Sequence, residues 1–254
     1  MIPVFAMRLI CGLSSMWCLA PRRQITSGFF RIQMLLVLGL SVLAAVTADQ
    51  YPVQNGALTD GFQTVFFALS LGLCFLAFAG SMAWTLERRR GGAWFGLLIF
   101  LLSLYSVVSP SLDVAITPVS ASTPFPALDA LTAAGILGAS TGAMLLGHWY
   151  LTATGMALQP LVNYCRLFGV AVLLRMIAVL MQVFVMEVPG AAGNWTLAVL
   201  RWGGLIGPLV MAGLTLRILR YRNTQSATGV LYAATILVFM GEMASSLLAA
   251  SQVN

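Results

Sequence analysis

Runs of about 20 apolar residues constrain this chain more than any other feature, because a helix of that length crosses the hydrocarbon core of a bilayer. They fall at residues 32–48, 61–84, 93–112, 131–154, 162–187, 195–217 and 226–250. The chain is 60% hydrophobic and 8% charged, with a mean hydropathy of +0.94. A soluble domain carries about 25% charged residues. The expected fold is therefore all-α, a polytopic membrane helix bundle of seven transmembrane helices. Residues 1–20 add an N-terminal element, either a helix lying in the interface or an eighth spanning helix. The single membrane domain covers 1–254, with 1–30 as the N-terminal segment and 31–254 as the bundle.

The loops predict orientation. All 13 basic residues are arginines. They concentrate at Arg22, Arg23 and Arg31, at Arg88, Arg89 and Arg90, and at Arg217, Arg220 and Arg222. By alternation these clusters share one side, which the positive-inside rule makes cytoplasmic. Asp49, Asp60, Asp113, Asp129 and Glu187 are then read into loops on the opposite side, with the C-terminus. The expected location is a bacterial inner membrane. The net charge of +6 reflects these loops and does not argue for nucleic acid. The longest connection, 110–130, is rich in Pro, Ser and Thr and suits partner docking. Cys11, Cys18, Cys74 and Cys165 have no metal-type spacing and read as apolar thiols.

An ionisable residue inside a membrane is expensive and marks a candidate site. At about 1.5 Å per residue, Arg175, Arg201 and Glu242 fall in one layer, in the middle or outer half of the bilayer. One glutamate against two arginines leaves a positive charge, so an anionic or carbonyl-bearing ligand, or water, is expected to face it. The competing reading is an ion pair that fixes helix packing. His148 and Arg166 fall in a second layer about 5 Å from the cytoplasmic boundary. Arg166 suits snorkelling to headgroups.

His148, in "GHWYLT", is the only histidine. Imidazole near neutrality suits a contact to a quinone carbonyl or quinol, with Trp149 and Tyr150 as a ring wall. A haem with Met as second ligand and a plain interfacial aromatic belt are the alternatives. A bis-histidine haem within the chain is excluded. On the last helix Thr228, Thr235 and Glu242 recur every seven residues and share a face. That stripe reads as a proton route or as a hydroxyl seam between helices.

The last helix, "ATGVLYAATILVFMGEMASSLL", carries Gly241-Glu242 after an apolar run. It resembles the closing helix of quinone-interacting membrane-anchor subunits of the DMSO reductase and polysulfide reductase type. Where many of those anchors place an arginine about four residues on, this chain has Ser245 and Ser246. The resemblance implies a haem-free subunit that exchanges electrons with quinone beside iron–sulfur partners, and it carries over to Glu242 alone.

The expected function is an integral membrane subunit of a respiratory or electron-transfer complex. It would contact quinone or quinol at His148, Tyr150, Arg175, Arg201 and Glu242, and lipid, with iron–sulfur or cytochrome subunits as partners. A purely structural subunit and a proton-coupled transporter remain as alternatives. Gly203-Gly204 and Gly207-Pro208 are the one candidate helix break that a transporter would use. Neither a Ser-His-Asp set nor a phosphate loop is present, and with one histidine and seven acidic residues hydrolytic chemistry is poorly supplied.

Overall fold

The computed structural model describes residues 1–21, 24–51, 56–112, 125–153, 155–186 and 195–251. Arg22, Arg23, Asp113, Glu187, most of the Pro-rich connection and the last three residues lie outside them. The described residues form eight α-helices and no strand: α1 (Ile2–Leu19), α2 (Ser27–Val46), α3 (Gly56–Thr85), α4 (Arg89–Leu112), α5 (Pro126–Thr152), α6 (Gln159–Met186), α7 (Trp195–Arg220) and α8 (Thr224–Ser251). All eight are long and apolar enough to cross a membrane. The protein is thus a polytopic helical bundle. Of the two options for residues 1–20, α1 takes the form of a full-length apolar helix, and it packs against α2 and α4.

The helices outrun the hydropathy windows because polar residues extend them. Pro126 occupies the first turn of α5, where its missing N–H costs nothing, and starts the helix five residues before the apolar run. This moves Asp129 from the loop expected for it into the first turn of α5. Asn223 caps α8 by accepting the amide of Ser226 at 3.0 Å. The α3–α4 junction is a Schellman turn, with Glu87 at φ 54° and the amide of Arg88 donating to the carbonyl of Ala83. Arg222 takes the same left-handed conformation, φ 57°, between α7 and α8.

The helices group into two compact units, residues 1–118 and 119–254. In the first, α1 packs on α2 and α4, and α3 packs on α2 and α4. Among its described residues no charged side chain is buried: the Trp17 indole donates to Gln33 Oε1 at 3.1 Å, and Phe30 stacks on Trp84 with centroids 4.5 Å apart. In the second unit α5 packs on α6 and α8, and α7 packs on α6 and α8. There the polar interior is ionic. Among the described residues the buried charged side chains, Asp129, Arg175 and Glu242, all belong to this unit.

Glycine sets the closest helix approach in the second unit. A methyl group on Gly204 of α7 would sit 2.5 Å from Cα of Gly241 and 2.8 Å from the carbonyl oxygen of Leu237 on α8. Only a residue without Cβ lets the backbones meet so closely. Pro208 lies inside α7 without ending it, and the helix runs unbroken from Trp195 to Arg220. The candidate break at Gly203–Pro208 does not form. Gly204 and Gly207 pack against α8 instead, where their added methyls would meet Gly241 Cα at 2.5 Å and the Leu237 side chain at 2.7 Å.

Candidate functional site: a four-charge cluster in the second unit

Arg175 is the centre of the site. It is 1% exposed, midway along α6. Its guanidinium makes a two-point contact with Glu242 of α8, Nε to Oε1 at 2.8 Å and Nη2 to Oε2 at 3.0 Å. The remaining edge turns to α5: Nη1 donates to Asp129 Oδ1 at 2.6 Å, to the Asp129 carbonyl at 3.2 Å and to Thr132 Oγ1 at 3.3 Å. A planar fork of donors suits two carboxylates at once, which a lysine ammonium could not match. Taking these ions out of water is costly, and the cost is offset only when every donor finds an acceptor.

Gln182, two turns along α6, extends the network. Its Nε2 donates to Asp129 Oδ1 at 2.9 Å, and its Oε1 accepts Arg201 Nη2 at 3.1 Å. Arg201 is the least satisfied member. Its Nε is buried and has no hydrogen-bond partner. Arg175, Val179, Arg201, Gly204, Leu205, Gly241, Glu242 and Ser245 line one narrow cleft among α6, α7 and α8, closed too tightly to hold a water molecule. The Gly204–Gly241 approach forms part of its wall, so helix packing and site geometry share a cause.

The sequence places Arg175, Arg201 and Glu242 at one depth, and the fold gathers all three around this cleft. The fold defines the pairing and changes one expectation. Glu242 pairs with Arg175. The charge is also not left positive: Asp129, assigned to a loop from sequence, supplies a second carboxylate, giving two arginines against two acids among the described residues. The signal for Asp129 was available. Pro126 three residues earlier and Ala127-Leu128 between them make an ordinary helix start.

His148 and Tyr150 lie elsewhere. His148 is exposed near the end of α5, its Nδ1 3.0 Å from the Tyr232 hydroxyl of α8, with the rings edge to face. Tyr150 is buried on another face, and its hydroxyl donates to the carbonyl of Ala157, tying down the α5–α6 connection. It does not form a wall beside His148. Tyr232, which sequence reasoning passed over, is the histidine's partner. Tyr232 and Glu242 are ten residues apart on α8, about 15 Å along its axis. The two layers are therefore separate places. Arg166 is exposed, as snorkelling requires.

The α8 stripe faces α5. Thr235 donates to the carbonyl of Ser140 at 3.2 Å, and Thr228 closes on Gly147, whose added methyl would meet its Oγ1 at 2.9 Å. These hydroxyls form a packing seam. Among the described residues no group of three or more His, Cys, Asp or Glu could hold a metal ion. Comparison with protein-family models, with curated proteins and with solved structures finds no match.

Proposed function

We propose that this protein is an integral membrane subunit of a respiratory or electron-transfer complex, and that a quinone or quinol headgroup binds at the Arg201 cleft. One observation carries the reading: a buried guanidinium N–H without an acceptor, on the wall of a cleft within an apolar bundle. A buried donor left unpaired costs about 1–3 kcal/mol. A quinone carbonyl would supply the missing acceptor, with α6, α7 and α8 parting beside Val179 and Leu205 to admit the ring. Iron–sulfur or cytochrome partners would deliver the electrons. The arginine-rich turns would face the cytoplasm of a bacterial inner membrane, with the C-terminus outside. The cleft then lies toward the outer half.

The two-point Arg175–Glu242 pair and the Asp129 contact favour one other reading, a purely structural subunit whose charges only lock helices. Quinone content separates the two. Purified full-length protein should carry quinone in its extracted lipid, and an Arg201→Gln variant should carry several-fold less. No quinone in the wild type, or equal amounts in both, leaves the structural reading standing.

A further inference from the structure

The charge count at the cleft restricts what can enter it. Each of the four helices contributes one ionisable side chain: Asp129 from α5, Arg175 from α6, Arg201 from α7 and Glu242 from α8. Among the described residues these are the charges at the cluster, two positive and two negative. Counted over these four side chains, the cluster is electroneutral. A fixed anion at Arg201 would satisfy the free Nε and also leave a net negative charge in a medium of low dielectric, where uncompensated charge is heavily penalised. A neutral acceptor satisfies the same donor and leaves the balance intact.

We infer that the Arg201 cleft selects a headgroup that is neutral as it binds, and admits an acidic one only together with its proton. This rests on the reading that a headgroup sits at Arg201. It adds a rule of selectivity: neutral quinones are accepted, while sulfate, phosphate and ionised acids are refused. The rule has a structural handle. Replacing either carboxylate by its amide makes the cluster positive by one charge, which should turn a site for neutral ligands into one that takes an anion. Arg175 keeps one carboxylate in either variant. In Asp129→Asn the remaining Oδ1 still accepts from Arg175 and Gln182.

The test uses the full chain in detergent and two probes of similar shape, 2-methoxy-1,4-naphthoquinone and 2-hydroxy-1,4-naphthoquinone. The first is neutral throughout; the second is an acid. Dissociation constants are measured across several pH units above the pKa of the hydroxyl. In the wild type the methoxy compound should bind independently of pH. The hydroxy compound should weaken about tenfold per pH unit, because each molecule must bring a proton. Partition of the anion into detergent also falls with pH, so the decisive comparison is between variants at equal partition. In Glu242→Gln and in Asp129→Asn the fall should shrink to about twofold or less over the same range. Methoxy binding in each variant is the reference for an intact cleft.

A hydroxy compound that binds the wild type independently of pH overturns the inference. So does a fall that persists unchanged in both variants while the methoxy compound still binds. If neither probe binds the wild type, the quinone reading of the cleft fails, and the inference fails with it.

Discussion

Gly204→Ala tests whether the α7–α8 crossing sets the site. The new Cβ would lie 2.5 Å from Cα of Gly241, 2.8 Å from the Leu237 oxygen and 3.0 Å from the Gly241 amide nitrogen. Carbon atoms rest about 3.5–4.0 Å apart, so the helices must separate by about 1 Å. No flexible side chain stands in the way; the obstructing atoms are backbone. Overpacking of this kind costs about 1–3 kcal/mol. Against that, alanine gains about 0.5–1 kcal/mol over glycine in a helix. Gly203→Ala is the matched control, because nothing lies within 4 Å of its added methyl. It should show only the gain. The two neighbouring substitutions should therefore differ by about 1–3 kcal/mol, the strain of the crossing alone. Unfolding of the full chain in detergent, followed by tryptophan fluorescence, measures the difference. Quinone affinity should fall in Gly204→Ala and hold in Gly203→Ala. Equal stability of the two variants would refute the close approach and with it the account of how the cleft is walled.

Other substitutions address other parts of the fold. Arg175→Met strands Asp129 and Glu242 without their shared cation, and should cost about 3–5 kcal/mol in the same unfolding assay. Adding Asp129→Asn and Glu242→Gln to it should recover much of that loss, a non-additivity that a double-mutant cycle reads directly. Tyr150→Phe removes the hydroxyl that holds the Ala157 carbonyl and should cost about 1 kcal/mol, seen as a lower unfolding midpoint. His148→Ala, on an exposed face, should shift stability by about 0.5 kcal/mol or less and leave quinone affinity unchanged. A loss of affinity there would move the headgroup to the other end of the unit. A periplasm-dependent reporter fused to the C-terminus should be active; inactivity would invert the proposed orientation.

Hydropathy reads helices well and helix ends poorly. The windows for α5 and α8 stop at the first polar residues, so Asp129 fell outside its helix although Pro126 marks a good start. Depth was readable because each residue advances a helix by a fixed rise. Azimuth was not: which arginine meets Glu242 depends on how α6, α7 and α8 are rotated, and the α7–α8 part of that is set by the Gly204–Gly241 contact between residues 37 apart. Gly241-Glu242 stood out in the sequence, but its partner Gly204 reads equally well as a helix break. The His148–Tyr232 pair was hidden for the same reason. Its members are 84 residues apart, and nothing local announces it.

Photolabelling tests the central claim most directly. An azidoquinone, activated by light on the full chain, marks whatever residues surround the bound ring. Peptide mapping should place the label on α6, α7 and α8 around Val179, Leu205 and Ser245, and excess unlabelled quinone should abolish it. Arg201→Gln should reduce it several-fold. Label that instead falls around His148 and Tyr232, or that excess quinone does not displace, contradicts a headgroup site at Arg201.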